Sequence, residues 1–183
     1  MTKRRDIGVD VDGVTRNFHL SLVKTYKKYY PNHEVVPIRK WNGYKLHPYF
    51  PIGEGIHSFY CEEHPEEIYL NALRYSGALK FMKELNKSFN IIIVTNQPNA
   101  HLDYLTEQWL KLSLMPYDEF FPTSDKTKFK GEYILEDASH HLEAILAKGN
   151  AIPVCFSRPW NQNWEGLRVN NYQKFLDLIR NNH

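Results

Sequence analysis

The stretch Ile7-Gly8-Val9-Asp10-Val11-Asp12-Gly13-Val14 decides how this chain is read. A short apolar, β-branched run that ends in carboxylates suits a buried strand whose carboxyl end opens into a site. Two acids spaced i, i+2 just past a strand end can both turn toward one pocket, because Gly13 lets the chain bend there. Calcium loops also contain Asp-x-Asp. Here, however, the sixth position is Thr15 rather than Gly and the twelfth is Ser21 rather than Glu, which excludes an EF-hand.

Working outward, Thr15 is expected to cap a helix over residues 16–30, where Phe18, Leu22, Val23 and Tyr26 recur at helical spacing until Pro31-Asn32 closes it. From Pro31 to about Cys61 the chain is rich in Pro, Gly, His and aromatics with no sustained period, which predicts an irregular insertion. His64-Pro65-Glu66-Glu67 starts another helix, with Pro in its first turn and acids at the positive end of the dipole. After Gly77 the pattern becomes regular. Helices are expected over 78–87, 99–113, 139–148 and 172–180, and strands over 90–95, 119–122, 132–136 and 152–156. Alternation of this kind implies a doubly wound α/β fold, a parallel sheet covered on both faces, with ligands at the carboxyl ends of its strands. The expected division is a core of residues 1–17 and 76–183 carrying an insertion of residues 18–75.

Length and composition agree. With 183 residues the chain suits one domain and one insertion, and 42 % hydrophobic against 24 % charged residues excludes disorder. Basic and acidic residues nearly balance, 23 against 21, with no large block of one sign. Polymeric nucleic acid is therefore not an expected partner, and any anion must be bound by a specific pocket. The longest apolar run, Ile91-Ile92-Ile93-Val94, is far short of the roughly 18 residues a membrane span needs. Residues 1–5 are basic, but Asp10 and Asp12 break the apolar stretch behind them, so the segment reads as leading into a first strand rather than as a signal peptide. Cys61 and Cys155 are too few and too far apart for a disulfide framework, which favours the reducing cytoplasm.

The other strand ends supply more chemistry. Thr95-Asn96 offers a hydroxyl and backbone N–H groups near a helix start, an arrangement suited to phosphate. Glu136-Asp137 adds two acids, and Asp125-Lys126-Thr127 places a cation in the loop before them. Each alone has an ordinary structural explanation, such as a cap or a solvated charge; together they converge on the ligand-binding edge. His57, Cys61 and His64 have the spacing of a zinc clip but lack a fourth ligand, so metal is not expected there. Of the aromatics in the insertion, most should form its own core. Phe18, Trp41 and Tyr44 are the candidates for stacking on a ligand, because Phe18 follows the acids and the other two fall in a polar, Gly-containing loop.

The four signatures Asp10 to Val14, Thr95, Lys126 and Glu136-Asp137, in this chain order, resemble those of the haloacid dehalogenase (HAD) superfamily of phosphotransferases. Within it the chain is similar to the 5′(3′)-deoxyribonucleotidases, on Asp10 to Val14, Asp125-Lys126-Thr127 and Arg158-Pro159-Trp160-Asn161. The resemblance implies a HAD-like Rossmannoid core with a small, mainly helical cap inserted after the first strand. It also implies Mg²⁺-dependent hydrolysis of a small phosphate ester, a nucleoside monophosphate, through an aspartyl-phosphate. Asp10 would be the nucleophile and Asp12 the acid and base. Mg²⁺ would be held by Asp10, the backbone carbonyl of Asp12, and Asp137, with Glu136 behind them. Thr95, Asn96 and Lys126 would bind the phosphate, and Phe18, Trp41 and Tyr44 the base. A homodimer is compatible with this reading.

Three departures bear on substrate: Glu136 stands where the family usually has aspartate, Ala138 where arginine is expected, and no basic residue follows Thr95. Asn96-Gln97 is similar instead to histidinol-phosphate phosphatases and the phosphatase half of polynucleotide kinases. A nucleic-acid 3′-phosphate or another phosphate ester is the alternative substrate, and a non-catalytic phosphate-binding module the alternative from another class.

Overall fold

The computed structural model describes residues 4–181; residues 1–3 and 182–183, with the outer ends of the expected core, lie outside the described residues. Six parallel strands form one sheet in the order β3-β2-β1-β4-β5-β6, made of β1 (Asp6–Val9), β2 (Asn90–Thr95), β3 (Glu119–Pro122), β4 (Tyr133–Glu136), β5 (Ile152–Phe156) and β6 (Arg168–Val169). The chain first builds outward from β1 through β2 to β3, then returns to place β4 on the other side of β1. The crevice of such a sheet lies where the order reverses, outside the carboxyl ends of β1 and β4.

Side chains alternate across the sheet with the period of two that a strand imposes. Ile7, Val9, Ile91, Ile93, Tyr133 and Leu135 join one apolar cluster with α4 (Ala78–Leu85), α5 (Ala100–Leu112) and α7 (Tyr172–Asn181). Ile92, Val94 and Ile134 join another with Phe129 and Ile145, the latter from α6 (Ser139–Lys148). The run Ile91 to Val94 is continuous in the sequence because both of its faces are covered. Gly8 is small for a reason visible here: a Cβ on it would come within 2.9 Å of the Phe129 ring.

Between β1 and α4 the chain forms α1 (Phe18–Tyr29), single 3₁₀ turns at Ile38–Lys40, His47–Tyr49 and Gly53–Gly55, the short α2 (Ile56–Ser58), a π-helical stretch Phe59–Glu63, and α3 (Pro65–Leu70). These pieces enclose their own aromatic cluster of Phe18, Tyr26, Trp41, Tyr49, Phe50 and Phe59, which Leu102 and Leu105 of α5 and Trp160 also join.

Two local expectations are corrected. Thr15 does not cap α1, because its hydroxyl donates back to the Val11 carbonyl at 3.2 Å; Asn17 does so instead, accepting from the Leu20 N–H. Strand β6 was not expected, since two residues carry no alternation to read. Among the described residues no helix is long and apolar enough to cross a membrane.

Candidate active site

Strand geometry brings the acids together. Val9 of β1 pairs with Leu135 of β4, so Asp10 and Glu136 leave adjacent strands at the same level. Asp10, Glu136 and Asp137 each offer a carboxylate oxygen within 4.8 Å of the others, and all three are buried. The Lys126 ammonium lies between them, 2.9 Å from Asp10 Oδ1 and hydrogen-bonded to Glu136 Oε2. The second Glu136 oxygen accepts the backbone N–H groups of Asp137 and Ala138, at 3.0 and 2.9 Å. Asp137 Oδ2 accepts the Trp160 indole N–H at 2.9 Å, and the Asn161 amide ties the Asp137 carbonyl at 2.8 Å.

Gly13 makes this possible. Its φ is +73°, and a Cβ there would sit 1.8 Å from Asp137 Oδ2. The loop can turn under Asp137 only with a residue that accepts the left-handed region and has no side chain. Arg158, stacked on Tyr75, donates to the Gly13 carbonyl and holds the loop from the other side.

The electrostatics follow from burial and sharing. Burial and the neighbouring Glu136 raise the Asp10 carboxyl, and burial with Glu136 and Asp10 raises Asp137 well above the ordinary range. Burial opposes ionisation of Glu136 too, but Lys126 outweighs it and keeps that carboxyl low. Three carboxylates thus share one ammonium and are short of positive charge. Their donor set is all carboxylate oxygen, which suits a hard divalent cation and not a soft one.

Asp12 stands apart from this cluster. Its carboxylate accepts Arg16 Nε at 2.7 Å, Arg16 Nη2 at 2.8 Å and Gln97 Nε2 at 2.9 Å. Burial alone would raise it, but the guanidinium and the amide hold it below the usual range. Thr95, at the end of β2, accepts a second Gln97 hydrogen bond at 3.1 Å, while Asn96 approaches His141 at 3.5 Å.

A cavity of about 470 Å³ opens above these residues. Asp12, Asn96, Gln97 and Asp137 line its polar side; Phe18, Tyr44, Tyr60 and Tyr69 line its aromatic side. Its volume falls in the range of small-molecule sites. Phe18, largely buried, and Tyr44, half-exposed, both border this cavity. Trp41 does not, and this corrects the expectation: it is 2 % exposed, stacked on Tyr49 at 4.6 Å, and donates its indole N–H to the Val36 carbonyl. A ring packed inside the insertion presents no face to a base. Cys61 Sγ lies 3.6 Å from His57 Nε2, while His64 stacks on Tyr29 at 3.8 Å.

Arg16, His19 and Gln97 were not singled out as site residues by sequence reasoning. His19 lines the cavity beside Trp160, and burial lowers it to about 4, so its ring is neutral. The one sequence signal for Arg16 is a charge placed between Val14 and Phe18, both destined for apolar surroundings.

The sheet order, with a long segment between β1 and α4 and acids at the strand ends, is that of the HAD-like fold. A haloacid dehalogenase-like hydrolase from Streptococcus pneumoniae superposes with a TM-score of 0.66 at 16 % identity, covering 98 % of this chain and 100 % of that one. Within this fold the chain belongs to the family described as 5′ nucleotidase, deoxy (pyrimidine), cytosolic type C, which it matches over residues 4–183. It is a phosphoric monoester hydrolase by that membership. A provisionally named 5′(3′)-deoxyribonucleotidase of Chlorobaculum tepidum is 22 % identical over 95 % of this chain and 89 % of its own length. The 5′(3′)-deoxyribonucleotidase of Bacillus subtilis is 24 % identical over 59 % of this chain and 63 % of its own.

Proposed function

We propose that this chain is a Mg²⁺-dependent phosphatase of nucleoside monophosphates, deoxyribonucleotides in particular, working through an aspartyl-phosphate. The observation that carries this reading is the buried trio Asp10, Glu136 and Asp137 around Lys126, set at the switch point of the sheet beneath an aromatic-walled cavity. Asp10, Asp137 and the Asp12 carbonyl would hold Mg²⁺, which when bound supplies positive charge to the phosphoryl oxygens and keeps the carboxylates ionised. Glu136 is the counter-ion of Lys126, since its oxygens are already taken by that ammonium and two backbone N–H groups.

Asp10 attacks phosphorus; the new carboxyl O–P bond forms as the ester P–O bond breaks, and Asp12, entering the step protonated against the pull of Arg16 and Gln97 toward the carboxylate, gives that proton to the departing alcohol. Asp12 then takes a proton from the water that attacks the aspartyl-phosphate, releasing inorganic phosphate and Asp10. Lys126, with Thr95 and Asn96, stabilises the charge on the transferring oxygens. Phe18 and Tyr44 hold the base. In this reading residues 1–17 and 76–183 form the catalytic core, residues 18–75 the cap, and the reducing cytoplasm is the compartment.

The test is phosphate release from a panel of 5′- and 3′-mononucleotides, sugar phosphates, an aryl phosphate and 3′-phosphorylated DNA, with Mg²⁺ and with chelator. Mononucleotides should lead the panel and every activity should vanish on chelation. A sugar phosphate or a DNA end outrunning every mononucleotide replaces the substrate assignment, and inactivity on all esters removes the enzymatic one.

A further inference from the structure

We infer that Arg16 is a positioning residue for Asp12, clamping its carboxylate so that only Oδ1 retains an open acceptor site toward the substrate. This rests on the reading of Asp12 as the acid and base of ester hydrolysis. A carboxylate offers about four lone-pair sites. Three are filled: Oδ1 accepts Arg16 Nε, and Oδ2 accepts both Arg16 Nη2 and Gln97 Nε2. The remaining one is on Oδ1, and Asp12 borders the cavity with its side chain 21 % exposed.

The clamp is itself rigidly held. The Arg16 guanidinium is fully buried, lying over the Tyr69 ring at 4.6 Å and the Trp109 ring at 5.3 Å, with Nη2 also donating to Thr106 Oγ1 at 3.0 Å. The Arg16 N–H donates to the Val11 carbonyl and the Arg16 carbonyl accepts the Gly13 N–H, at 2.8 and 3.1 Å, so the loop carrying Asp12 closes on the residue that pairs with it. Stability alone does not account for this arginine. Among the described residues Nη1 is buried without a hydrogen-bond partner, and a guanidinium with an unmet donor is a costly filler between two aromatic rings that an apolar side chain would pack against. The arrangement gains where a proton must pass at a fixed place.

Leaving groups report on that placement. A nucleoside alkoxide is a poor leaving group and needs its proton as the P–O bond breaks, whereas p-nitrophenolate departs without one. The experiment compares Arg16→Gln and Arg16→Lys with wild type in single-turnover release of nucleoside from a mononucleotide and of nitrophenol from p-nitrophenyl phosphate. In Arg16→Gln nucleoside release should slow on the order of 100-fold and nitrophenol release by no more than about threefold. Arg16→Lys keeps the charge without the planar fork and should fall between Gln and wild type on the nucleotide. Equal losses on both esters, or unchanged nucleoside release, overturn the assignment. If Arg16→Gln does not fold, Arg16→Lys carries the same comparison. Wild type releasing neither leaving group overturns the phosphatase reading along with this one; an active wild type with parallel losses in the variants overturns this one alone.

Discussion

In the core, Asp10 meets Glu136 and Asp137 although more than a hundred residues separate it from them, because each stands at or just after the end of a strand in one parallel sheet. In the insertion, Phe18, Trp41 and Tyr44 are far nearer in sequence yet diverge: Trp41 closes into the aromatic core, Phe18 belongs to both that core and the cavity wall, and Tyr44 stands half-exposed at the cavity rim. A parallel sheet converts position along the chain into position in space, since the strand ends are its ligand edge by construction. A small insertion has no such frame. It must first bury its own aromatics, and only those left over reach the ligand.

The contrast can be broken most decisively at the nucleophile. Asp10→Asn should lower turnover of every ester on the order of 10⁴-fold or more while circular dichroism and the thermal midpoint show a folded protein. Near-normal turnover would end the covalent mechanism. Lys126→Ala should cost on the order of 100-fold in kcat, and it should also destabilise by about 3–5 kcal/mol in denaturant titration, because it leaves Asp10 and Glu136 buried without their cation. If turnover survives, Lys128 or Lys130 fills the role.

The aromatic side of the comparison predicts a split between two rings. Tyr44→Ala should reduce kcat/KM on the preferred mononucleotide by about 5- to 150-fold, the worth of one stacked base, and leave acetyl phosphate nearly unchanged. Trp41→Ala should instead lower the thermal midpoint through a core loss of about 3–5 kcal/mol and weaken both substrates alike. Reversed results would return Trp41 to the cavity wall.

The smallest effect concerns protons. Asp10 titrates from 3.8 in its ordinary state to about 8 when folded, and Asp137 is raised as well. The folded, metal-free protein therefore binds protons here that the unfolded chain has released, and this contribution to stability falls as pH rises from about 4 to about 8. Glu136 and Asp12 are lowered and act in the opposite sense at the acid end, so the difference with and without cation isolates the cluster. The gain in Tm on adding Mg²⁺ should exceed its value at pH 6 by about 3 °C at pH 8. A larger gain at pH 6 would remove the cluster as the cation site.

What the sequence made legible follows the same division. The central strands announce themselves by continuous or alternating apolar runs, and once they are placed, Asp10, Thr95 and Asp137 fall on one edge without further information; Lys126 stands in a turn before β4, and only the resemblance pointed to its role. Arg16 and Gln97 stayed hidden because their role depends on how the loop from Val11 to Arg16 closes, which no periodicity encodes. Trp41 misled for a related reason: a Gly-containing, polar neighbourhood suggests exposure, yet the His47–Tyr49 turn brings Tyr49 flat against it.

Trp160 belongs to both regions at once. Its ring is part of the aromatic cluster of the insertion, and its indole N–H is spent on the carboxylate of Asp137. Two equilibria that would otherwise be separate, seating of the insertion and ordering of the acid cluster, thereby share a term in free energy. Linkage makes that term reciprocal: whatever steadies Asp137 also favours the seated insertion, and whatever loosens the insertion is felt as weaker binding below it.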